Sequence, residues 1–569
     1  MQIIKSFLKL LVFVLPFTAS AQSSFLPQDD KAEHVLDRID IKQQSNYGLI
    51  LSVNKPLSRK MAVDEALQAD SLNKLHPADP AYSLSAVDRY NLNSVRIDNV
   101  EWLNGDTTGV DSKKPFLNTF YKQKANLYEA NEKDFFLAVN PVIQETQSYE
   151  SGNNQRLFLN TKGITLRGMI GSLGFSAYLT DNQERGPGYF QQMVTSSGYP
   201  AVPGAGYYKA FKGTGFDYFD NRASIYFKAW KYFDFQFGYD KNFIGDGYRS
   251  LFLSDNSAPY LFLKFNTRIW KLNYETIYMQ LVSQHQPSDS LGDYQYPEKY
   301  AVIHHLSVNV VPWLNMGLFE NVTFSRANHF DFTYLNPVIF LVAAQQENGS
   351  PDKTTAGLDF KANIAHKFQV YGQLLFNEFV LDQLLHYSRG WWANKQGLQL
   401  GVKYIDAFKV KNLDLQLEGN IVRPFTYSHN DSVSNYSNYN QPLADPLGAN
   451  FDELIAIVRY QPINKLNMEG KIIYYRQGLD SGGINYGSNI FLNYDTRSMD
   501  YGYKVGSGML ATCLNASFTA SYELRENLFF DLSLQYRTYK VAANTSMNND
   551  SKMITVGFRL NAFKRLYDY

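Results

Sequence analysis

From residue 134 to residue 569 one pattern repeats. Apolar and polar residues alternate over segments of about ten to fourteen residues, and about eighteen such segments follow one another. In Asn527–Tyr539, NLFFDLSLQYRTY, Phe530, Leu532, Leu534 and Tyr536 fall on one face, and Asp531, Ser533, Gln535 and Arg537 on the other. Leu413, Leu415 and Leu417 oppose Asp414, Gln416 and Glu418 in the same way. Phe368, Val370, Leu374 and Phe376 oppose Gln369, Tyr371 and Gln373. A strand with one apolar and one wet face suits a sandwich or a membrane barrel, and length separates the two. Soluble strands run to about five or six residues, whereas a tilted strand needs about ten to cross hydrocarbon.

The links alternate as well. Tight ones fall near Gly171, Trp230-Lys231, Trp270-Lys271, Pro312-Trp313, His366-Lys367, Pro462-Ile463 and Arg525-Glu526, with a slightly longer one over Ala407–Lys411. Long ones fall at about 183–220, 244–258, 285–299, 326–353, 380–395, 423–451 and 477–510. An even strand number, with short turns at one end and long loops at the other, predicts an all-β transmembrane barrel of about 18 antiparallel strands over 134–569. Its lumen is expected to be aqueous unless something fills it, and stiff loops folding inward would make it a plugged, binding barrel. The final segment, Thr555–Phe563, ends in an aromatic, the form of a signal read by the barrel-assembly machinery, although KRLYDY follows it.

The N-terminus reads as a secretory signal peptide over 1–21: Lys5 and Lys9, an apolar run from Phe7 to Phe17, then Ala19-Ser20-Ala21 before Gln22. No cysteine follows this box, so no lipoprotein anchor is expected. Residues 22–133 read as a small, partly helical periplasmic region. Arg59–Leu75 spaces Met61, Ala62, Ala66, Leu67 and Leu75 at helical period, and Asp88–Trp102 fits either element.

Basic and acidic residues balance at 54 each, which leaves no field for nucleic acid. Aromatics at 15% suit membrane-interface girdles. The single cysteine, Cys513, excludes an internal disulfide and a multi-cysteine metal site. His304 and His305 are adjacent in a strand, so their rings point to opposite faces. His329 and Asp331 lack a third ligand. His429 and Asp431 sit among serines without a nucleophile-elbow motif. The expectation is a protein that is not an enzyme and uses no cofactor and no metal.

KNFIGDGYRS, Lys241–Ser250, interrupts this regularity. Gly245 and Gly247 permit backbone angles closed to other residues and fold the chain back into the barrel mouth. An Asp246–Arg249 pair would pin the loop and Tyr248 would face the lumen. Asn336-Pro337 is expected to lock a turn in a second inward loop, and Pro442, Pro446 and Gly448 to stiffen a third. A latch that shapes the lumen without a ligand is the alternative reading. Loops rich in Tyr, Asn, Ser and Gly, such as Ser428–Gln441, suit sugar hydroxyls, and Trp391-Trp392 beside Arg389 reads as a sugar platform or as interfacial girdle. The candidate polysaccharide-binding residues are Asp246, Tyr248, Arg249, Asn336, Trp391, Trp392 and Tyr439.

Several stretches together carry a resemblance: KNFIGDGYRSLFLSDNS (241–257), NKPLSRK (54–60), DNVEW (98–102), GLFENVTFSR (317–326), YLNPVIF (334–340), GSPDKTTAGLDFK (349–361) and YNQPLADPLGANFDE (439–453). The chain resembles the Wzi-like capsule-assembly family of Bacteroidetes, the group that includes the gliding-motility protein RemB. That resemblance implies an eighteen-stranded outer-membrane barrel with a helical periplasmic part, which holds surface polysaccharide in a lectin-like way and supports motility. It implies surface polysaccharide, outer-membrane lipids and, during biogenesis, the barrel-assembly machinery as partners, with gliding and secretion proteins as further candidates. A transport channel, a scaffold of a secretion or gliding machine and an outer-membrane hydrolase remain open beside it.

Overall fold

A computed structural model describes residues 24–27, 31–45, 53–103, 105, 108–196, 201–283, 296–326, 329–338, 341–349, 352–378 and 380–569; the expected signal peptide lies outside them. Eighteen strands form the wall: β1 (Phe135–Glu150), β2 (Leu157–Ile170), β3 (Leu173–Arg185), β4 (Gly215–Ala229), β5 (Phe233–Asp240), β6 (Tyr260–Ile269), β7 (Leu272–Val282), β8 (Glu298–Val311), β9 (Leu314–Phe324), β10 (Lys353–Ile364), β11 (Phe368–Glu378), β12 (Lys395–Tyr404), β13 (Leu413–Val422), β14 (Phe451–Ile463), β15 (Leu466–Leu479), β16 (Met509–Arg525), β17 (Leu528–Val541) and β18 (Asn549–Leu560). Each pairs antiparallel with the next, and β18 closes on β1 with Leu560 opposite Ile143. The tight turns fall where the pattern places them, except one. β14 runs on through Pro462 and Ile463, past an irregularity after Tyr460, and turns at Asn464-Lys465.

The outward faces carry an exposed aliphatic band that includes Ile164, Ile225, Leu358, Leu398, Leu400, Leu454 and Ile472. Trp230, Trp270, Trp313 and Phe408 are exposed at its turn end, and Tyr149 and Phe219 at its loop end. From Trp230 to Phe219, β4 rises ~36 Å along its own axis, or ~25 Å along the barrel at a tilt of about 45°. No helix among the described residues is long and apolar enough to cross a membrane.

Three helices close the turn end: α1 (Lys31–Gln43), α2 (Arg59–Leu75) and α3 (Ala86–Ile97). Ser58 caps α2, and Ser85 with Asp88 forms a capping box on α3. Their apolar faces, among them Val35, Ile39, Ala62, Val63, Leu92 and Val95, share one core with Phe136 and Ala138 of β1. Ion pairs tie them to the wall and its turns, Lys31 to Glu523 and Glu526, Asp37 to Lys403, and Arg38 to Asp406 and Asp414, while Arg38 to Asp88 joins α1 to α3. Tyr128–Glu132 pairs with β1, so strand pairing crosses the 133/134 boundary.

Two of the three loops expected to fold inward fill part of the lumen. Ile277, Met279, Leu281, Ala301, Ile303, Phe319 and Leu375 point inward and pack against Leu251, Phe252, Leu253, Tyr427, Tyr436, Leu443 and Ala444 from two loops that descend from the loop end. Burying this surface is the dominant favourable term for holding the loops inside. The segment after β18 also turns inward. β18 ends at Leu560, and Phe563 meets Tyr178 at 4.5 Å, ring tilted to ring, in the lumen, so it is not the closing aromatic of the strand.

The loop between β9 and β10 goes the other way. Asn336 is exposed and accepts from the Val338 N–H, so Asn336-Pro337 makes its turn, but outside the barrel wall. His304 and His305 point to opposite faces as expected: His304 pairs with Glu320 at 2.9 Å on the outer side, and His305 with Asp359 at 2.6 Å in the lumen.

Candidate functional site

The two glycines of KNFIGDGYRS have different physical roles. Phe243-Ile244 forms a short ladder with Asn54-Lys55 from the N-terminal region, and the Gly245 N–H donates to the Val53 carbonyl at 2.8 Å. Gly245 sits at φ +151°, a backbone conformation that side chains rarely adopt. Gly247 is needed for space. A Cβ there would lie 2.5 Å from Glu418 Oε2 and 2.7 Å from the Arg249 carbonyl. The backbone N–H groups of Tyr248 and Arg249 both donate to the Glu418 carboxylate of β13, at 2.6 and 3.1 Å. This is a small amide nest closed on a wall carboxylate. Gln399 and Gln373 donate to the Arg249 and Ile244 carbonyls, both at 3.0 Å.

The expected Asp246–Arg249 pair gives way to separate ties. Asp246 pairs with Lys361 of β10 at 3.4 Å, and Arg249 faces Glu453 of β14 at 3.7 Å. The guanidinium of Arg249 also donates to the Asp568 carbonyl at 2.8 Å, and the Tyr248 hydroxyl meets the Asp568 carboxylate. Burial pushes the Asp568 carboxyl up, but Lys471 at 2.9 Å and Arg249 pull it the other way and hold it below the usual carboxylate range. Three stretches of chain therefore meet in mid-lumen: the N-terminal strand, the 241–258 loop and the segment 561–569. Tyr427 and Tyr436 add a fourth from the 423–450 loop, donating to the carbonyls of Leu251 and Phe252, each at 2.8 Å.

Two cavities remain beside this junction. One, of about 350 Å³, lies on the helix side among His34, Arg38, Arg167, Arg459 and Lys564. The other, of about 340 Å³, lies towards the loop end among Asp220, Lys241, Asp246, Arg249 and Arg565. His34, Arg38, Arg222, Lys241 and Asp414 line both. Lys241 donates to the Asp255 carbonyl at 2.9 Å, and burial pulls its amine down to about 8.

A second cluster forms at the loop end. The Gly502 and Tyr503 N–H groups donate to the carbonyls of Arg389 and Gly390, and the Trp392 N–H to that of Asp500, so the 387–392 and 500–503 segments lie side by side. Trp392 is covered by the Arg497 guanidinium at 3.7 Å and by Tyr494 at 4.8 Å, which removes it as a free stacking face. Trp391 is half-buried, and Tyr387 and Tyr501 are about half exposed, at 49% and 47%, with Arg389 exposed beside them. Tyr439 lies elsewhere on the rim, donating its N–H to Val282 and meeting Tyr296 edge-on at 6.1 Å.

The seven predicted residues thus occupy four places. Asp246, Tyr248 and Arg249 lie in the lumen, Trp391 and Trp392 in the loop-end cluster, Tyr439 on another part of the rim, and Asn336 outside the wall. Glu418 and Gln399 carried a signal, since alternation puts both on the wet face. Asp568 and Tyr501 carried none. Among the described residues no group of three or more His, Cys, Asp or Glu is placed to hold a metal. The Asp431 N–H donates to His429, Ser434 donates to the Asp431 carboxylate, and Asp331 is taken by Arg326.

No protein-family model matches the chain, and no curated protein matches it. Among solved structures it is similar to Wzi of Escherichia coli, described as an outer-membrane protein involved in group 1 capsule assembly and a carbohydrate-binding β-barrel. The TM-score is 0.57 at 13% identity, covering 95% of this chain and 99% of Wzi. OprD of Pseudomonas aeruginosa covers 74% of this chain and 94% of its own at TM-score 0.41 and 9% identity. OccAB1 of Acinetobacter baumannii covers 75% and 96% at 0.39 and 10%. At these identities the likeness is one of fold.

Proposed function

We propose that the chain is a non-enzymatic outer-membrane barrel that binds surface polysaccharide at its loop-end face and conducts little through its lumen. The observation that carries this reading is the mid-lumen junction. Four stretches of chain meet in the lumen and bond to one another and to its wall, which leaves two adjoining cavities of about 350 and 340 Å³ where an open pore would run. The half-exposed ring of Tyr501 and the half-buried ring of Trp391 supply the flat faces on which sugar C–H groups stack, with Tyr387, one face of which lies under the Arg423 guanidinium at 4.7 Å, beside them, and Arg389 and Asp500 are the polar partners. The apolar band supports residence in the outer membrane, with the helices on the periplasmic side and outer-membrane lipids around the wall. The Wzi likeness in fold agrees with this.

The test pairs two measurements. W391A/Y501A cells are expected to shed polysaccharide that wild-type cells retain, with barrel assembly unchanged; equal retention would remove this face as the binding site. Purified wild-type protein is expected to show only small conductance in planar bilayers, and a steady large conductance would replace binding by transport. Motility support is the finer part of the proposal and is read from spreading of the same double variant on agar.

A further inference from the structure

The described residues of the loop between β9 and β10, 325–326, 329–338, 341–349 and 352, lie outward against the wall. Its Tyr334, Leu341 and Ala344 pack on Tyr300, Val302, Val322 and Phe324, the outward residues of the loop-end half of β8 and β9. Beneath it lies a polar pair on the outward face. Glu320 binds the buried His304 and accepts from the Leu341 N–H at 3.0 Å. Arg326, Asp331, Asp352 and Tyr334 knot the two ends of the flap together.

The level of this flap follows from the wall. Phe324 is as far up from Trp313 as Phe219 is from Trp230, so the flap covers the upper part of the apolar band that neighbouring strands leave bare. Leu318 and Met316, directly below on the same face, are exposed. The outer surface of the flap carries large apolar side chains at this level: Phe332 is 77% exposed, with Leu335, Val338 and Val342 also exposed and the small polar side chains of Thr333 and Asn336 between them. Its next helical turn carries exposed Gln346 and Glu347. A polar, ionisable pair facing acyl chains is expensive, and a cover over it at that depth meets the same solvent as the strands beside it.

Building on the membrane placement above, we propose that Phe332, Leu335, Val338 and Val342 contact lipid in the outer leaflet, so that this loop continues the barrel's lipid-facing belt and seals His304–Glu320 from it. Cys513 is the only cysteine and is buried, so C513A is a clean background for single labels. F332C and V338C, labelled with an environment-sensitive fluorophore in phosphatidylcholine proteoliposomes, are compared with L398C on the bare band and M499C on the exposed loop end. Nitroxide-labelled phosphatidylcholine is expected to quench F332C and V338C as it quenches L398C, and to leave M499C bright. Emission at F332C and V338C that matches M499C while L398C is quenched overturns the proposal and leaves the membrane reading standing. Blue-shifted but unquenched emission marks a protein partner or a second copy and overturns it equally. An unquenched L398C overturns both.

Discussion

Gly247 shows how much one hydrogen atom in place of a side chain decides. Its backbone is not left-handed; what it provides is room for the Glu418 carboxylate to approach two adjacent N–H groups. Gly247→Ala puts a methyl 2.5 Å from that carboxylate and 2.7 Å from backbone, and only the former is free to shift. The expected outcome is a loss of about 1–3 kcal/mol, read as a lower denaturation midpoint of the solubilised barrel. A midpoint equal to wild type would show that Glu418 yields without strain. The residue pattern announces a kinked loop here, but φ freedom and close approach look alike in sequence. Both call for glycine, and only the position of a carboxylate from a strand far along the chain tells them apart.

At the scale of the element, the 423–450 loop holds its place through Tyr427, Tyr436 and an acid. Asp445 is fully buried, close to Glu453 and Glu418 with Arg249 nearby. Burial raises its carboxyl to about 6, against the pull of Arg249. The folded state therefore keeps a proton that the unfolded chain has released. The stability this carries is complete below the ordinary carboxylate range and is lost as pH rises through about 6. The thermal midpoint is expected to fall between about pH 4 and pH 6, and Asp445→Asn to flatten that fall; an identical profile in the variant would place the titration on other groups. Strands were the most legible elements because lipid on one side and protein on the other imposes period two. The exceptions were legible in part. Tyr300–His305, YAVIHH, loses alternation because both of its faces are covered, from inside by the descending loops and from outside by the flap. Lys31–Gln43 carries a helical stripe, Ala32, Val35, Leu36 and Ile39, that the reading of 22–133 as partly helical did not single out, and three of its eight buried residues, Arg38, Asp40 and Lys42, are polar and widen the buried face beyond that stripe.

For the whole molecule, the closures are in series. The helices stop the turn end, and the 241–258 and 423–450 loops stop the lumen above them. Removing residues 24–103 alone is expected to leave bilayer conductance small. Replacing both 242–257 and 424–450 by short linkers in that background is expected to open a stable conductance. A large conductance from the first deletion alone would assign the closure to the helices.

Alternation, turn chemistry and chain length determined the closed wall, its strand number, which end carries loops and which face of each strand meets the lumen, because each of these is a local consequence of backbone geometry and of the solvent on either side. The course of the loops was decided only in three dimensions. Whether a loop descends, as 241–258 does, or lies over the outer wall, as the described residues between β9 and β10 do, depends on which distant surfaces can be buried together and which charges across the barrel find partners. Those are sums over residues hundreds of positions apart, and no short stretch of sequence contains them.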